Sequence, residues 1–189
     1  MARLYLLVAT ANAWVLILVL VAAFAVQLLT GEPPCPLCTL QRIALMLCAL
    51  GPLYLLFAPR AGNVLTARAV STAAGISILA GLVGAAASAR QVLLHILPND
   101  PGYGAPVLGL HLYTWCLIAF LAQIAANGVM LVGTAWLADG RVERWRATAT
   151  ATAIGLAVIV VANIGSVIAE AGFHWLLPEN PTGYLLFGQ

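Results

Sequence analysis

The residues best suited to chemistry are two cysteines separated by two residues, Cys35 and Cys38, with Arg42 four positions further on. Two thiols at this spacing can form a disulfide or bind a metal. Pro33 and Pro34 exclude a helix before Cys35, and Pro36 suits the first position of a helix. Cys35 is therefore expected near a helix N-cap and Cys38 in the first helical turn. The positive end of the helix dipole and Arg42 would both favour a thiolate there.

The residues around the cysteine pair leave redox and metal chemistry open. Covalent haem attachment would need a histidine directly after the second cysteine, where this chain has Thr39. A tetrahedral zinc site remains an alternative, because two cysteines and two histidines are a common ligand set. His95, His111 and His174 all map to helix ends on the side of the cysteines, although their spacing matches no local zinc pattern.

The composition places the pair in a membrane protein. The chain is 63% hydrophobic and only 7% charged, whereas soluble domains carry about 25% charged residues. Its mean hydropathy is +1.02. A net charge of +2 without a lysine run excludes a nucleic-acid-binding surface. The bilayer must therefore be the solvent for most of the surface.

The apolar runs predict an all-α protein, with a four-helix transmembrane bundle plus a fifth transmembrane helix. The first run continues to Leu29, past the length of a signal-peptide core, and is expected to be a retained span. Small residues recur through the middle of the third run, so that helix should be central. Residues 1–189 are expected to form a single integral membrane domain, with residues 171–189 as an outer tail. The predicted spans are about 4–30, 36–57, 66–95, 110–136 and 148–170.

The arginines predict the orientation of the chain. With a cytoplasmic N-terminus, six arginines lie inside and two outside, whereas the opposite orientation reverses this bias. The cysteine turn, the loop between the third and fourth spans and the C-terminus then face the oxidising side, where disulfides persist. The six inner residues are Arg3, Arg60, Arg68, Arg141, Arg144 and Arg146, and the two outer ones are Arg42 and Arg90.

The stretch from Cys35 to Cys38, followed by Gln41 and Arg42 at the entrance of the second span, resembles the disulfide bond formation protein B (DsbB) family. The glycine–leucine…tryptophan stretch 109–115 at the start of the fourth span is similar to that family as well. The order of the first four helices also agrees, so the resemblance covers residues from about 1 to 136.

The resemblance implies a quinone-linked thiol:disulfide oxidoreductase of the bacterial inner membrane. Cys35 would exchange with a periplasmic thioredoxin-like dithiol protein, and Cys38, the deeper of the two, would face the quinone (ubiquinone or menaquinone). Arg42 would support the reduced quinone, with His95 as a further residue lining the quinone site. The N-terminus would be cytoplasmic and the C-terminus periplasmic.

The chain departs from the family in its other cysteines. Typical members carry a second cysteine pair in a long outer loop, but the loop at about 97–108 is short and contains no cysteine. Cys48 and Cys116 fall inside spans and are expected to be small apolar residues. Two mechanisms remain open: direct exchange at Cys35–Cys38, or a pair supplied by a partner chain. The short loop is expected to leave the turn less covered, which favours direct exchange.

The polar residues within the later spans are expected to be structural, through hydrogen bonds between helices. These residues are Gln123, Asn127, Asn163 and Ser166. Glu170, at the outer edge of the fifth span, is expected to be solvated. Two other functions remain alternatives to the oxidoreductase: a metal-binding or metal-transport protein that uses the outer cysteines and histidines, and a non-catalytic membrane scaffold.

Overall fold

The computed structural model describes residues 2–58, 64–136, 140–142, 145–172, 174 and 183–188. Within these ranges, five helices are long and apolar enough to cross a membrane. The all-α membrane fold predicted from the sequence is therefore confirmed. The helices are α1 (Ala2–Thr30), α2 (Pro36–Phe57), α3 (Ala67–Leu94), α4 (Leu112–Gly133) and α5 (Arg146–Ala171).

The helix ends follow local sequence signals. The predicted bounds of α2 agree with the structure, because Pro36 occupies its first turn. Thr66 caps α3, since its side chain accepts a hydrogen bond from the Ala69 N–H. The fourth helix starts later than its apolar run, because Val107 and Leu110 exchange backbone hydrogen bonds and form a turn before it. It continues into a short 3-10 helix at Thr134–Trp136, and a second 3-10 helix lies at Leu185–Phe187.

The helices pack around α2 and α3. Helix α3 lies between α2 and α4, as its small residues predict, and α2 contacts all four other helices. The fifth helix packs against α1 and α2 and is therefore part of the same bundle. Gln123 of α4 donates to Asn12 of α1 at 2.6 Å, so this polar residue links two helices as expected.

Glycine permits the closest helix approaches. A Cβ atom at Gly84 of α3 would overlap the ring of Phe120, which is fully buried in α4. A Cβ atom at Gly51 of α2 would similarly meet the backbone of Ala73 and the side chain of Ser77. Close packing of this kind is what holds helices together where the surrounding lipid is as apolar as their side chains.

A two-residue antiparallel ladder closes the end of the bundle opposite the cysteine turn. Strand β1 (Val64–Leu65) pairs with β2 (Gly140–Arg141) and joins the α2–α3 connection to the α4–α5 connection. The N-terminal ends of α1, α3 and α5 also lie at this end of the bundle, and they carry Arg3, Arg68 and Arg146. Arg60 and Arg144 lie outside the described residues. The orientation of this arginine-rich end toward the cytoplasm stays a prediction.

Candidate redox site

The turn between α1 and α2 holds the cysteine pair as the prolines predict. Gly31 ends α1 with a φ of +70°, a left-handed conformation that glycine adopts without strain. Cys35 is the N-cap of α2, and its sulfur accepts a hydrogen bond from the Cys38 N–H at 3.1 Å. Cys35 and Cys38 form a disulfide, with their Cα atoms 5.0 Å apart. The two cysteines are thus paired with each other at the start of α2.

The short loop between α3 and α4 covers this turn. Tyr103 donates its hydroxyl to the carbonyl oxygen of Pro33 at 2.7 Å, and both Pro33 and Pro34 are buried. The loop thus contacts the turn although it is short, and the expectation that it covers the turn less than a long loop would stays a prediction. Burial, together with the charges of Glu170 and Glu32, raises the pKa of Tyr103 to about 12, so its hydroxyl remains a donor at neutral pH.

The loop over the turn explains why the two sulfurs differ in exposure. Cys35 is only 6% exposed, whereas Cys38 is partly exposed. The prolines and the loop enclose Cys35, whereas the prediction that Cys38 lies deeper concerns its position further along α2 and stays a prediction.

An amide of α3 contacts both sulfurs. The Gln91 Nε2 atom lies 3.2 Å from the Cys35 sulfur and 3.5 Å from the Cys38 sulfur. The side chain of Gln41 donates to the Gln91 Oε1 atom at 2.8 Å, and both glutamines are 2% exposed. Because Gln41 occupies the oxygen of Gln91, the N–H groups of Gln91 must point toward the sulfurs. We call Cys35, Cys38, Gln41 and Gln91 the sulfur side of the site.

Arg42 points away from the sulfurs and toward α1. Its side chain is 8% exposed and donates to Gln27 Oε1 at 2.6 Å and to the carbonyl oxygen of Ala23 at 3.3 Å. The guanidinium also lies 4.6 Å from the centre of the Phe24 ring, a cation–π distance. Four residues make slightly more than one helical turn, so Cys38 and Arg42 share a flank of α2 but contact different neighbouring helices.

The fifth helix and the tail extend the surroundings of Arg42. Gln27 Nε2 lies 2.9 Å from Ser166 Oγ and 2.9 Å from Tyr184 Oη, and it donates to both. Glu170 lies one turn beyond Ser166 and interacts electrostatically with Arg42. It is 0% exposed, so the prediction that Glu170 is solvated is wrong. We call Arg42, Gln27, Ser166, Glu170 and Tyr184 the arginine side of the site.

His95 belongs to a separate cluster in the outer loop. Its Nδ1 atom lies 3.1 Å from Asp100, and its ring stacks on Tyr113, which in turn stacks on His111. The Gly102 N–H and then His95 hold the pKa of Asp100 below its usual value. His95 lies four residues after Gln91, at the end of α3. Its role at a quinone site stays a prediction.

The remaining cysteines and histidines form no metal cluster in the described ranges, where no group of three or more His, Cys, Asp or Glu residues converges. Cys48 is fully buried in α2 and donates to the carbonyl oxygen of Ser77 at 3.6 Å. Cys116 is half-buried in α4. Both are free thiols within the bundle. His174 is exposed, and the structure describes only its backbone bond to Ala171.

Sequence reasoning did not find Gln27 or Gln91. The signal available for both was a polar residue in the outer turn of an otherwise apolar span, where burying an amide requires a partner. The sequence does not show which partner each amide meets.

Part of the chain is similar to known proteins. A family model described as disulfide bond formation protein DsbB matches residues 3–105. A disulfide bond formation protein B from Chromobacterium violaceum is 42% identical over 96 residues, which cover 51% of this chain and 52% of the relative.

Two further relatives, each named disulfide bond formation protein B 1, come from strains Pf-5 and Pf0-1 of Pseudomonas fluorescens. They are 28% and 27% identical over 132 residues, which cover 54% of this chain and 75% of each relative. The chain therefore spans about half the length of the Chromobacterium relative. No solved structure gives a significant match.

Proposed function

The chain belongs to the disulfide bond formation protein DsbB family, and on that premise we propose that it is a quinone-linked thiol:disulfide oxidoreductase. It oxidises a periplasmic thioredoxin-like dithiol protein through Cys35–Cys38 and passes the electrons to quinone. The observation that carries this proposal is the Cys35–Cys38 disulfide at the start of α2, bonded to Gln91 in a multi-pass membrane bundle.

Exchange with the dithiol partner begins at Cys35. A thiolate of the partner attacks the Cys35 sulfur, the Cys35–Cys38 bond breaks, and Cys38 leaves as a thiolate. The Gln91 N–H groups and the start of α2 stabilise that thiolate, because hydrogen bonds to an anion are stronger than those to a neutral sulfur. The second thiol of the partner then releases Cys35. Since Cys35 is 6% exposed, this exchange requires the Tyr103 loop to move away from the turn.

The residues of the arginine side fit a quinone. Arg42 is buried, and contacts with the described residues engage two of its N–H groups, whereas a guanidinium has five. Both oxygens of Glu170 and the hydroxyl of Thr39 are buried without a described hydrogen-bond partner. A bound quinone supplies an acceptor for two electrons and two protons. Arg42 and Cys38 would hold it, with His95 as the further residue that the resemblance suggests.

Access for a lipid-soluble acceptor comes from the membrane. Leu28, Leu29 and Leu40 flank the cysteine turn at 78%, 87% and 51% exposure, which suits contact with lipid. A ubiquinone or menaquinone in the bilayer could reach the site from this side without crossing water.

The arginines support an orientation of the site in the membrane. Their excess at the β1–β2 end supports a cytoplasmic N-terminus and, after five spans, a periplasmic C-terminus. Insertion in the bacterial inner membrane is what the family resemblance implies. The loop over the turn contains no cysteine, so electrons enter at Cys35–Cys38 directly or through a pair on a partner chain.

Replacement of one redox cysteine tests the function. Cys38→Ser should abolish dithiol-dependent reduction of ubiquinone or menaquinone by the purified protein, because the disulfide can no longer form. Cys48→Ser is the matched control, since this buried thiol is not part of the disulfide, and its turnover should stay near that of the parent protein. Unchanged turnover in Cys38→Ser would contradict the proposal. So would alkylation showing that Cys35 and Cys38 never change redox state in cells, the result expected of a scaffold.

A further inference from the structure

Glu170 is a buried acid without a structural partner in the described part of the chain. It is 0% exposed, and neither of its carboxyl oxygens has a hydrogen-bond partner there. No direct ion pair between the described residues includes it either. Nearly all buried polar groups are satisfied, and an unsatisfied carboxylate in a membrane protein is costly. An acid kept in this state is a candidate for function.

The neighbours of Glu170 place it at the redox site. Ser166, one helical turn earlier on α5, bonds to Gln27, and Gln27 bonds to Arg42. Arg42 also interacts electrostatically with Glu170, and so does Tyr103 of the loop that covers the cysteine turn. The acid is thus the member of the arginine side that also interacts with the loop covering the disulfide.

The ionisable groups around this site come from several elements. Besides Glu170, they are Arg42 of α2, Cys116 of α4, Tyr103 of the loop and Tyr184 of the tail. Arg42 is the cation among them. In a medium of low dielectric constant, one added negative charge strongly increases the proton affinity of a neighbouring carboxylate.

We propose that Glu170 is the internal proton carrier of the site, taking up a proton when Cys35–Cys38 is reduced and releasing it when the disulfide re-forms. Reduction by a dithiol delivers two electrons and two protons. One proton goes to the Cys35 thiol and the other to Glu170, and Cys38 remains a thiolate. On reoxidation the S–S bond forms, and the two electrons pass to the acceptor together with the protons of the Cys35 thiol and Glu170; the acceptor is a quinone, reduced to the quinol, under the proposed function on which this inference rests.

The division of protons has a clear benefit for the chemistry. The net charge of the site is the same in the oxidised and reduced states, because the new thiolate at Cys38 replaces the carboxylate of Glu170 as the anion of the site. Cys38 therefore stays in its nucleophilic form without a second uncompensated charge in the membrane.

Infrared difference spectroscopy tests this proposal without quinone. The full chain in lipid nanodiscs is titrated between disulfide and dithiol, and the reduced-minus-oxidised spectrum is recorded. The parent protein should gain the C=O band of a protonated carboxylic acid on reduction. Glu170→Gln should lose that band, and Glu170→Asp should keep a shifted one. Glu32→Gln is the matched control, because Glu32 lies in the turn that holds the cysteines but is exposed. This variant should retain the band.

Turnover provides the second measurement. Glu170→Gln should lower kcat for quinone reduction about 10²-fold, the smaller end of the usual effect of a proton-transfer group, with little change in KM for quinone. A thiol count and an intact Cys35–Cys38 disulfide in the variant show that it has folded.

Two results would overturn the carrier role: a redox-dependent carboxyl band that survives in Glu170→Gln, or a parent protein that shows no such band although its thiols are fully reduced. Absence of quinone reduction by the parent protein would instead contradict the proposed function, since the infrared measurement does not depend on quinone.

Discussion

The sulfur side and the arginine side of the site differ in chemistry and in origin. The sulfur side is built from Cys35, Cys38, Gln41 and Gln91, all of which lie within the region 3–105 matched by the family. The arginine side combines Arg42 and Gln27 from that region with Ser166, Glu170 and Tyr184, which come from the fifth helix and the tail. The family region thus supplies the complete sulfur side but only part of the arginine side.

The difference shows how the site separates charge from sulfur chemistry. The sulfur side contains neutral amides that bond to each other and to the disulfide. The arginine side contains a buried cation and a buried acid. Charges in a membrane are costly and tend to mark function. Under the proposed function, we therefore expect electron entry and charge compensation to use different neighbouring helices.

Replacement of Arg42 should separate the two sides most strongly. Arg42→Met removes the cation but keeps much of the side-chain volume. Loss of one preorganised electrostatic group at a reaction centre typically lowers kcat about 10²–10³-fold, and we expect this loss in steady-state quinone reduction. Exchange of Cys35–Cys38 with a dithiol, followed by stopped-flow alkylation, should continue near the parent rate. The exposed Arg90→Met is the control. Equal loss of both reactions would show that the two sides are not separate.

Replacement of Gln91 should affect the sulfur side alone. Gln91→Leu leaves the buried Gln41 amide without its acceptor, which costs about 1–3 kcal/mol of stability. It also removes the donor to the sulfurs, so the disulfide should become harder to reduce in a glutathione equilibrium. Adding Gln41→Leu should recover part of the lost stability, because neither amide is then left unpaired. A change in quinone affinity in these variants would contradict the separation.

The smallest effects are expected from a matched pair of tyrosines. Tyr184→Phe removes a hydrogen bond on the arginine side, and Tyr103→Phe removes the bond between the loop and Pro33. Each should cost about 1 kcal/mol. Only Tyr103→Phe should speed alkylation of the reduced cysteines. The expected increase in rate is about fivefold, because a loss of about 1 kcal/mol raises the population of the open loop by that factor. Equal rates in the two variants would show that this bond does not hold the cover closed.

The same loop bond gives a pH dependence with a defined sign. The pKa of Tyr103 rises from 10.0 to about 12 in the folded protein. Its contribution to stability is therefore complete below about pH 10 and is lost as the pH rises toward 12. Hydrogen exchange of the loop amides should show this change in the parent protein and not in Tyr103→Phe.

Local signals in the sequence were sufficient for the helices and for the cysteine turn. The length of each apolar run predicts a span, and Pro36 places Cys35 at the N-cap. The spacing of Cys35 and Cys38, with Arg42 four positions further on, identified the candidate site, and the family resemblance then implied a role for each residue. These features depend on residues that are close together in the chain.

The contacts of the site could not be predicted in the same way, because they join distant residues. Gln91 reaches Cys35 across 56 positions, and Gln27 reaches Ser166 across 139. Glu170 was expected at a solvated edge because it lies near a helix end. The packing of α5 on α1 and α2 buries it instead. The length of the loop does not show whether it covers the turn, because the cover depends on the hydrogen bond from the Tyr103 hydroxyl to Pro33.

The packing of α5 against α1 and α2 has a consequence for biosynthesis. The ribosome makes α5 after α1 to α4, yet α5 packs against α1 and α2. The side of α1 and α2 that carries Gln27 and Arg42 therefore lacks its partner until α5 has been translated. The oxidised cysteine turn can form earlier, but the charged half of the site is assembled only when α5 inserts. A ribosome that stalls before residue 146 would leave a nascent chain with the disulfide turn but without Ser166 and Glu170.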